Sequence, residues 1–186
     1  MLYYLLSCMY FFGAAYLGNA SPPLAYRFNI LKSLGKPIDG GKMLNNKPIL
    51  GDHKTWRGVA SEIIVCTTLM PLLIKTHEFL GLEHYQAIGF NAFDQINGFF
   101  LGFLLSLGII FGDLSFAFIK RRLNLKPGAM FVPFDQINYV IGAFIFTQPL
   151  LQFELKFWLS LCVLTFFIHI FFNRTGYNLG LHNAKW

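Results

Sequence analysis

Long apolar stretches alternate with short polar ones along the whole chain. Five runs are apolar and long enough to suggest helices that cross a bilayer: about 2–20, 59–74, 98–119, 139–153 and 157–172. A hydrocarbon core about 30 Å thick takes roughly 20 residues of helix, and the shorter second and fourth runs reach across with help from snorkelling flanks. Two longer polar stretches, 21–58 and 120–135, follow the first and third runs. The pattern predicts an all-α polytopic membrane protein, a single membrane-embedded domain over 1–186, with about five transmembrane helices and two loops on one face.

Composition agrees with this pattern. Of the 186 residues 55% are hydrophobic, 18% aromatic and only 13% charged, against about a quarter charged in a soluble domain. The net charge of +6 would suggest nucleic acid on a soluble surface, but the cations are confined between apolar runs. That placement excludes a nucleic-acid partner and favours anionic lipid headgroups or phosphorylated substrates. With the N-terminus outside, thirteen of the fifteen Lys and Arg residues fall on one side, which the positive-inside rule makes cytoplasmic. The two loops and the C-terminus are therefore expected in the cytoplasm of an integral cell-membrane protein. The N-terminal run has no Lys or Arg before it and reads as a retained span, not a cleaved leader. Cys8, Cys66 and Cys162 sit singly in apolar runs and read as packing residues.

The polar loops carry the candidate chemistry. The first contains Gly35-Lys36-Pro37-Ile38-Asp39-Gly40-Gly41-Lys42 and Gly51-Asp52-His53-Lys54-Thr55-Trp56-Arg57-Gly58. Glycines let backbone amides approach a phosphate, and Lys and Arg supply the opposite charge, although no Walker spacing is present. The alternative is that Lys54, Trp56 and Arg57 are interfacial anchors.

Within the third run Asp113 lies about two turns before Lys120-Arg121-Arg122. A carboxylate in an apolar helix is costly, so it marks either a functional site or an internal ion pair. Asp113 and Lys120 are seven residues apart on one helical face, too far for contact but bridgeable by a metal or phosphate. Asp135, after Lys126-Pro127-Gly128 and Pro133, is either a helix N-cap or a second metal ligand; with Asp113 it could hold Mg²⁺.

The pentapeptide Phe-Asp-Gln-Ile-Asn occurs at 93–97 and 134–138, each time before an apolar run. It predicts two helix starts on opposite faces, so that Asp94 and Asp135 do not share a site. Glu62 reads as a residue that snorkels or pairs with a nearby cation, and His169 with Asn173 either faces the site or makes interhelical bonds.

These motifs, together with Asn19-Ala20-Ser21-Pro22-Pro23, Gly112-Asp113-Leu114 and the tail Tyr177-Asn178-Leu179-Gly180-Leu181 ending at Trp186, make the chain resemble the CDP-archaeol synthase family nearly end to end. The stretch from Gly112 to Asp135 also resembles the signature of phosphatidate cytidylyltransferase. The resemblance implies transfer of a cytidylyl group from CTP to a lipid phosphomonoester, giving a CDP-lipid of the CDP-archaeol or CDP-diacylglycerol type and pyrophosphate, within phospholipid biosynthesis.

It implies Asp113 and Asp135 as Mg²⁺ ligands and, with Lys120 and Lys54, as catalytic residues. Asn19, Asp39, Lys42, Thr55, Arg57, Arg121, Arg122 and Lys126 would bind substrate. The chain departs from the family pattern at Ala117, at Asn45-Asn46 and at Lys185. A different class, a small transporter or channel for an anion or proton, would use the same buried acid; the absence of an inverted repeat argues against it.

Overall fold

The computed structural model describes residues 2–79, 96–126 and 129–178. Six α-helices account for most of these: α1 (Leu2–Phe11), α2 (Gly13–Arg27), α3 (Trp56–Phe79), α4 (Gly98–Arg122), α5 (Phe134–Leu151) and α6 (Leu155–Asn178). Three are long and apolar enough to cross a membrane, over Trp56–His77, Gly98–Arg122 and Leu155–Thr175. Of the first copy of the repeated pentapeptide, Phe93, Asp94 and Gln95 lie outside the described residues, as does most of the tail motif, while Asn97 of that copy caps α4 as the expected helix start, accepting from the amides of Phe99 (2.9 Å) and Phe100 (3.3 Å).

The helices depart from their expected runs by several residues at one end or both, α4 starting as expected at Gly98 but running three residues further, to Arg122. α1 and α2 meet at Phe12, across which the hydrogen-bond ladder continues from Phe12 N–H to the Cys8 carbonyl (3.1 Å) and from Tyr16 N–H to the Phe12 carbonyl (2.9 Å). α2 then runs through Pro22 and Pro23 to Arg27, where the sequence pattern placed a loop from 21 onward. Proline cannot donate to the carbonyl four residues back. The Ser21 hydroxyl fills that gap, donating to the Gly18 carbonyl at 2.7 Å. The first loop is thereby shortened to 28–55 and the second to 123–133. α4 carries Lys120, Arg121 and Arg122 in its last turn, where cations complement the helix dipole.

The first loop is folded tightly. After a 3-10 turn at Lys32–Leu34 it forms a two-stranded antiparallel hairpin, β1 (Met43–Leu44) and β2 (Lys47–Pro48). Its turn is Asn45-Asn46, with φ of 51° and 58°. Two successive left-handed residues are what a tight hairpin turn of this type demands, and Asn tolerates them. The Asn45-Asn46 departure therefore keeps the turn geometry.

The helices pack in chain order, α2 on α3, α3 on α4, α4 on α5 and α5 on α6, with α6 also against α1. Phe11, Phe12, Tyr139, Phe153, Phe157 and Trp158 lie in the core that results. Two small-residue pairs of the Gly-x-x-x-Gly kind set the approach of α4 to its neighbours. Gly98 and Gly102 face α3: a methyl group on Gly98 would lie 2.8 Å from the Pro71 Cα, and one on Gly102 would lie 2.9 Å from the Met70 Cβ. Gly108 and Gly112 face α5, where a methyl on Gly108 would meet the Gly142 carbonyl oxygen at 2.7 Å. Cys8 and Cys66 are buried and Cys162 half-buried, all three free thiols, and the Cys66 thiol donates to the Ala14 carbonyl at 3.4 Å.

Because α4 and α5 touch through backbone, an added side chain there must push the helices apart. Gly108→Leu or Gly112→Leu is expected to destabilise the protein by about 1–3 kcal/mol, read as a lowered thermal midpoint in detergent. Phe103→Leu, on the exposed face of α4, should leave the midpoint within about 0.5 kcal/mol of wild type.

Candidate active site

Polar groups collect where the later turns of α2 and α4 meet the first turns of α3 and α5 beside the folded loop. Segment 36–38 runs antiparallel to 54–56: the Ile38 amide donates to the Lys54 carbonyl (2.8 Å) and the Trp56 amide to the Lys36 carbonyl (3.1 Å). The Thr55 hydroxyl oxygen accepts from the Gly58 amide at 3.3 Å at the start of α3. Lys54 is thus fixed just before the helix, and its ammonium reaches α4, 2.7 Å from Oδ1 and 2.5 Å from Oδ2 of Asp113.

A second pair lies beside the first. The Lys120 ammonium donates to Asp135 at 2.8 and 3.0 Å. Asp135 also accepts from the Phe131 amide at 2.9 Å. The cap of α5 is Pro133, two residues earlier, so Asp135 is not the N-cap; it lies in the first turn, where a carboxylate is favoured by the dipole. Asp113 and Lys120 do not pair with each other; each takes its partner from another segment.

Two cavities meet at these pairs. The larger, about 660 Å³, is bordered by Asn19 and Pro22 of α2, Thr55 and Arg57 at the start of α3, and Asp113. The smaller, about 260 Å³, is bordered by Lys120, Arg121, Asp135 and Asn138 as well as Asp113. His53, Lys54 and Asp113 border both, so the Lys54–Asp113 contact stands at their common wall.

Arg57 and Arg121 are only 8% and 7% exposed, and the Nε of each is buried without a hydrogen-bond partner. Arg57 lies over the Tyr26 ring, 5.3 Å from its centroid, in space that Gly35 leaves open, since a methyl there would come within 2.6 Å of Arg57 Nη2. Buried guanidinium groups with spare donors suit an anionic ligand.

Four of the residues singled out from the sequence border neither cavity: Asp39, Lys42, Arg122 and Lys126. Asp39 organises the loop, accepting from the amides of Gly41 (3.0 Å), Leu50 (2.8 Å) and Gly51 (3.1 Å). Burial pushes its carboxyl upward, but these amides outweigh burial and hold it below the ordinary value. Arg122 clasps the hairpin, donating to the carbonyls of Leu44 (2.7 Å), Lys47 (3.3 Å) and Pro48 (2.5 Å), while the Lys47 ammonium donates back to the Arg122 carbonyl at 3.1 Å. Lys42 and Lys126 are exposed, and the Lys126 carbonyl accepts from Arg121 at 3.3 Å.

Glu62 corrects its reading from sequence. It neither snorkels nor forms a salt bridge among the described residues; it is 5% exposed and borders the larger cavity. His169 and Asn173 bond to each other within α6 at 3.0 Å. Asn138, next to Asp135 on the smaller cavity, was not anticipated; its position inside a repeated pentapeptide masked it.

A divalent cation fits the donor set. Asp113 and Asp135 both border the small cavity, their carboxylate oxygens are the hard donors that Mg²⁺ prefers, and Mg²⁺ commonly takes only one or two protein carboxylates, the rest being phosphate and water. Among the described residues no group of three or more His, Cys, Asp or Glu side chains forms a protein-only cage.

Comparison with known proteins decides the family. A family model described as CarS-like CDP-archaeol synthase matches residues 1–186. The chain belongs to the CDP-archaeol synthase family. Among CDP-archaeol synthases, that of Pyrococcus horikoshii is 36% identical over 183 residues, covering 98% of this chain and 97% of the relative. That of Thermococcus onnurineus is 32% identical over 173 residues, covering 92% and 91%. A solved structure of an intramembrane enzyme for archaeal membrane lipid biosynthesis shares the fold, with a TM-score of 0.71 and 20% identity over 91% of this chain and 94% of that one. As a CDP-archaeol synthase family member the chain is an enzyme, a CTP-dependent nucleotidyltransferase, and an integral membrane protein.

The Asp39 cluster has a pH dependence of definite sign. A carboxyl held below its ordinary value of about 3.9 stabilises the loop fully above that pH and loses the effect as pH falls through its folded value. Amide exchange at Leu50 and Gly51 should therefore stay slow at neutral pH and accelerate, relative to the helices, under acid. Asp39→Asn should speed exchange there at neutral pH and remove the acid dependence, as read by hydrogen-exchange mass spectrometry.

Proposed function

We propose that this chain transfers the cytidylyl group of CTP to a membrane lipid phosphomonoester, forming a CDP-lipid of the CDP-archaeol type and pyrophosphate in phospholipid biosynthesis. The observation that carries the reading is the pair of lysine–carboxylate contacts, Lys54–Asp113 and Lys120–Asp135, bordering one small cavity that shares a wall with a larger one. Two anionic reactants need concentrated positive charge and acids able to hold a cation, and the clustered lysines and carboxylates support that reading. The named relatives support the archaeol-type lipid over a diacylglycerol one.

In this proposal α1 with α2 forms the first of five spans and α5 the fourth, in a single domain over 1–186. The N-terminus lies outside and the loops and C-terminus in the cytoplasm. The distribution of Lys and Arg supports that orientation. CTP then enters from the cytoplasm while the lipid tails stay among the spans.

A lipid phosphate oxygen attacks the α-phosphorus of CTP, the bond from that phosphorus to the bridging oxygen breaks, and its electron pair leaves on pyrophosphate. Asp113 and Asp135 are the residues that would hold Mg²⁺, which when bound neutralises and orients the triphosphate. Lys54 and Lys120, already beside the site, pass from carboxylate to phosphate oxygens as substrate enters. Arg121 offsets charge on the leaving group. Arg57 and Thr55 hold the nucleotide from the α3 side. Lys42 and Lys126 add to the positive field that draws it in, and Asp39 and Arg122 hold the loop that presents Lys54. Charge neutralisation and alignment carry the rate.

The test is CDP-lipid formation, read by mass spectrometry from CTP with either archaetidic or phosphatidic acid. Asp113→Asn is expected to lower turnover at least about a hundredfold while the protein remains inserted and folded. Retention of more than about a tenth of wild-type activity would refute its role. Chelation should abolish turnover and added Mg²⁺ restore it, with Asp135→Asn requiring more Mg²⁺; turnover that persists in chelator removes the metal assignment.

A further inference from the structure

α2 does not run out into the first loop; the chain turns back on it. The Ile30 amide donates to the Ala25 carbonyl (3.0 Å) and the Asn29 amide to the Tyr26 carbonyl (3.2 Å), around Asn29 at φ 55°. These are the two bonds of a Schellman turn, with Asn in the left-handed position. Leu31 is left-handed as well, at φ 53°, and the 3-10 turn Lys32–Leu34 then packs against α3. At Lys36 the carbonyl accepts from the Trp56 amide at 3.1 Å. Segment 28–36 therefore crosses from the end of α2 to the start of α3 and stays at their level.

Helix length sets that level. α1 and α2, with the ladder carried across Phe12, extend about 39 Å from Leu2 to Arg27 at about 1.5 Å a residue. The hydrocarbon core is only about 30 Å thick, and the bilayer with its headgroups about 40–45 Å. Arg27 is the first charged side chain in the sequence, so the excess length emerges at that end, into the headgroup layer. Trp56, half exposed at the start of α3, marks the same level, since Trp gathers at the interface.

The side chains suit that layer. Phe28, Ile30 and Leu34 are 66%, 55% and 38% exposed, a run of uncovered apolar surface of the kind that marks a contact. Arg27, Lys32 and Lys36 are exposed among them and form no salt bridge among the described residues. No Asp or Glu precedes Asp39 in the chain, so nothing in the segment opposes its three cations.

We infer that segment 26–36 is a docking surface for anionic phospholipid: it lies in the headgroup layer at this end of the bundle, with Phe28, Ile30 and Leu34 entering between lipids and Arg27, Lys32 and Lys36 on their phosphates. Apolar side chains interleaved with cations are what interfacial segments use to hold an anionic leaflet. The inference goes beyond the cytidylyl-transfer reading and does not depend on it. Tyr26 and Gly35 of the same segment border the larger cavity, so the docked lipid layer reaches the rim of the site.

The experiment places a nitroxide at Phe28→Cys, Ile30→Cys and Leu34→Cys in the full chain, reconstituted into phosphatidylcholine vesicles with or without phosphatidylglycerol. The unsubstituted chain gives the background of the native thiols, and Phe103→Cys the value for hydrocarbon. Relaxation by oxygen and by a water-soluble nickel complex should put all three labels at the headgroup surface or up to about 10 Å below it. Labels that relax as free nitroxide does in buffer overturn docking. So do labels shielded only when a cytosolic extract is added, which would assign the segment to a soluble partner. The charges are read separately. Spin-labelled phosphatidylglycerol should be enriched at the protein over spin-labelled phosphatidylcholine, less so in added salt, and the triple variant Arg27→Gln, Lys32→Gln, Lys36→Gln should lower that ratio at least about twofold. A ratio that the triple variant leaves unchanged overturns headgroup binding. Because the substituted side chains are exposed, the thermal midpoint of each variant should stay at the wild-type value, which checks folding.

Discussion

The structure turns on a contact between a loop and a membrane helix, the bond of the Lys54 ammonium to both oxygens of Asp113. A lone carboxylate inside an apolar helix would oppose insertion, and a lone ammonium at a helix start would be left to solvent. Joined, they tie the end of the first loop to the body of α4 and bring the loop's donors to the part of the bundle where, among the described residues, acids and bases are paired. Lys120 and Asp135 repeat the arrangement between the end of α4 and the start of α5. The polar groups are thus charges that satisfy each other, and in the proposed reaction they would be handed to an incoming anion and cation.

That contact needs α4 at a definite distance from its neighbours. Small residues on two levels provide it: Gly98 and Gly102 bring α4 against α3, and Gly108 and Gly112 bring it against α5. The second of these pairs ends one residue before Asp113. Close packing in lipid gains little from the hydrophobic effect, so backbone proximity through small residues takes over that role. The same approach places Asn138 and Asp135 across from Asp113.

Much of the fold was legible in the sequence because helices in lipid announce themselves by apolar length. Their ends were not. The continuation of α2 through Pro22 and Pro23 depends on a hydroxyl at Ser21 filling a missing bond, a local event that hydropathy does not register. In the site, Lys54, Asp113, Lys120 and Asp135 were all picked out, but their pairing was not, since partners 59 and 15 residues apart are joined only by packing. The family resemblance put Asp39 and Arg122 among the substrate-binding residues, and what it does not reveal is that both bond to main-chain groups of the first loop. Glu62 was taken for an edge residue because position in a span says nothing about which side a helix turns inward.

The clasp made by Arg122 has a bearing on how this loop can vary. It grips three main-chain oxygens, of Leu44, Lys47 and Pro48, and every amino acid carries such an oxygen. Side chains along the hairpin are therefore free to drift over generations without loosening the grip. Length is not free in the same way: a residue gained or lost between positions 44 and 48 would carry those oxygens out of reach of one guanidinium, so insertions and deletions should be purged there even where substitutions accumulate.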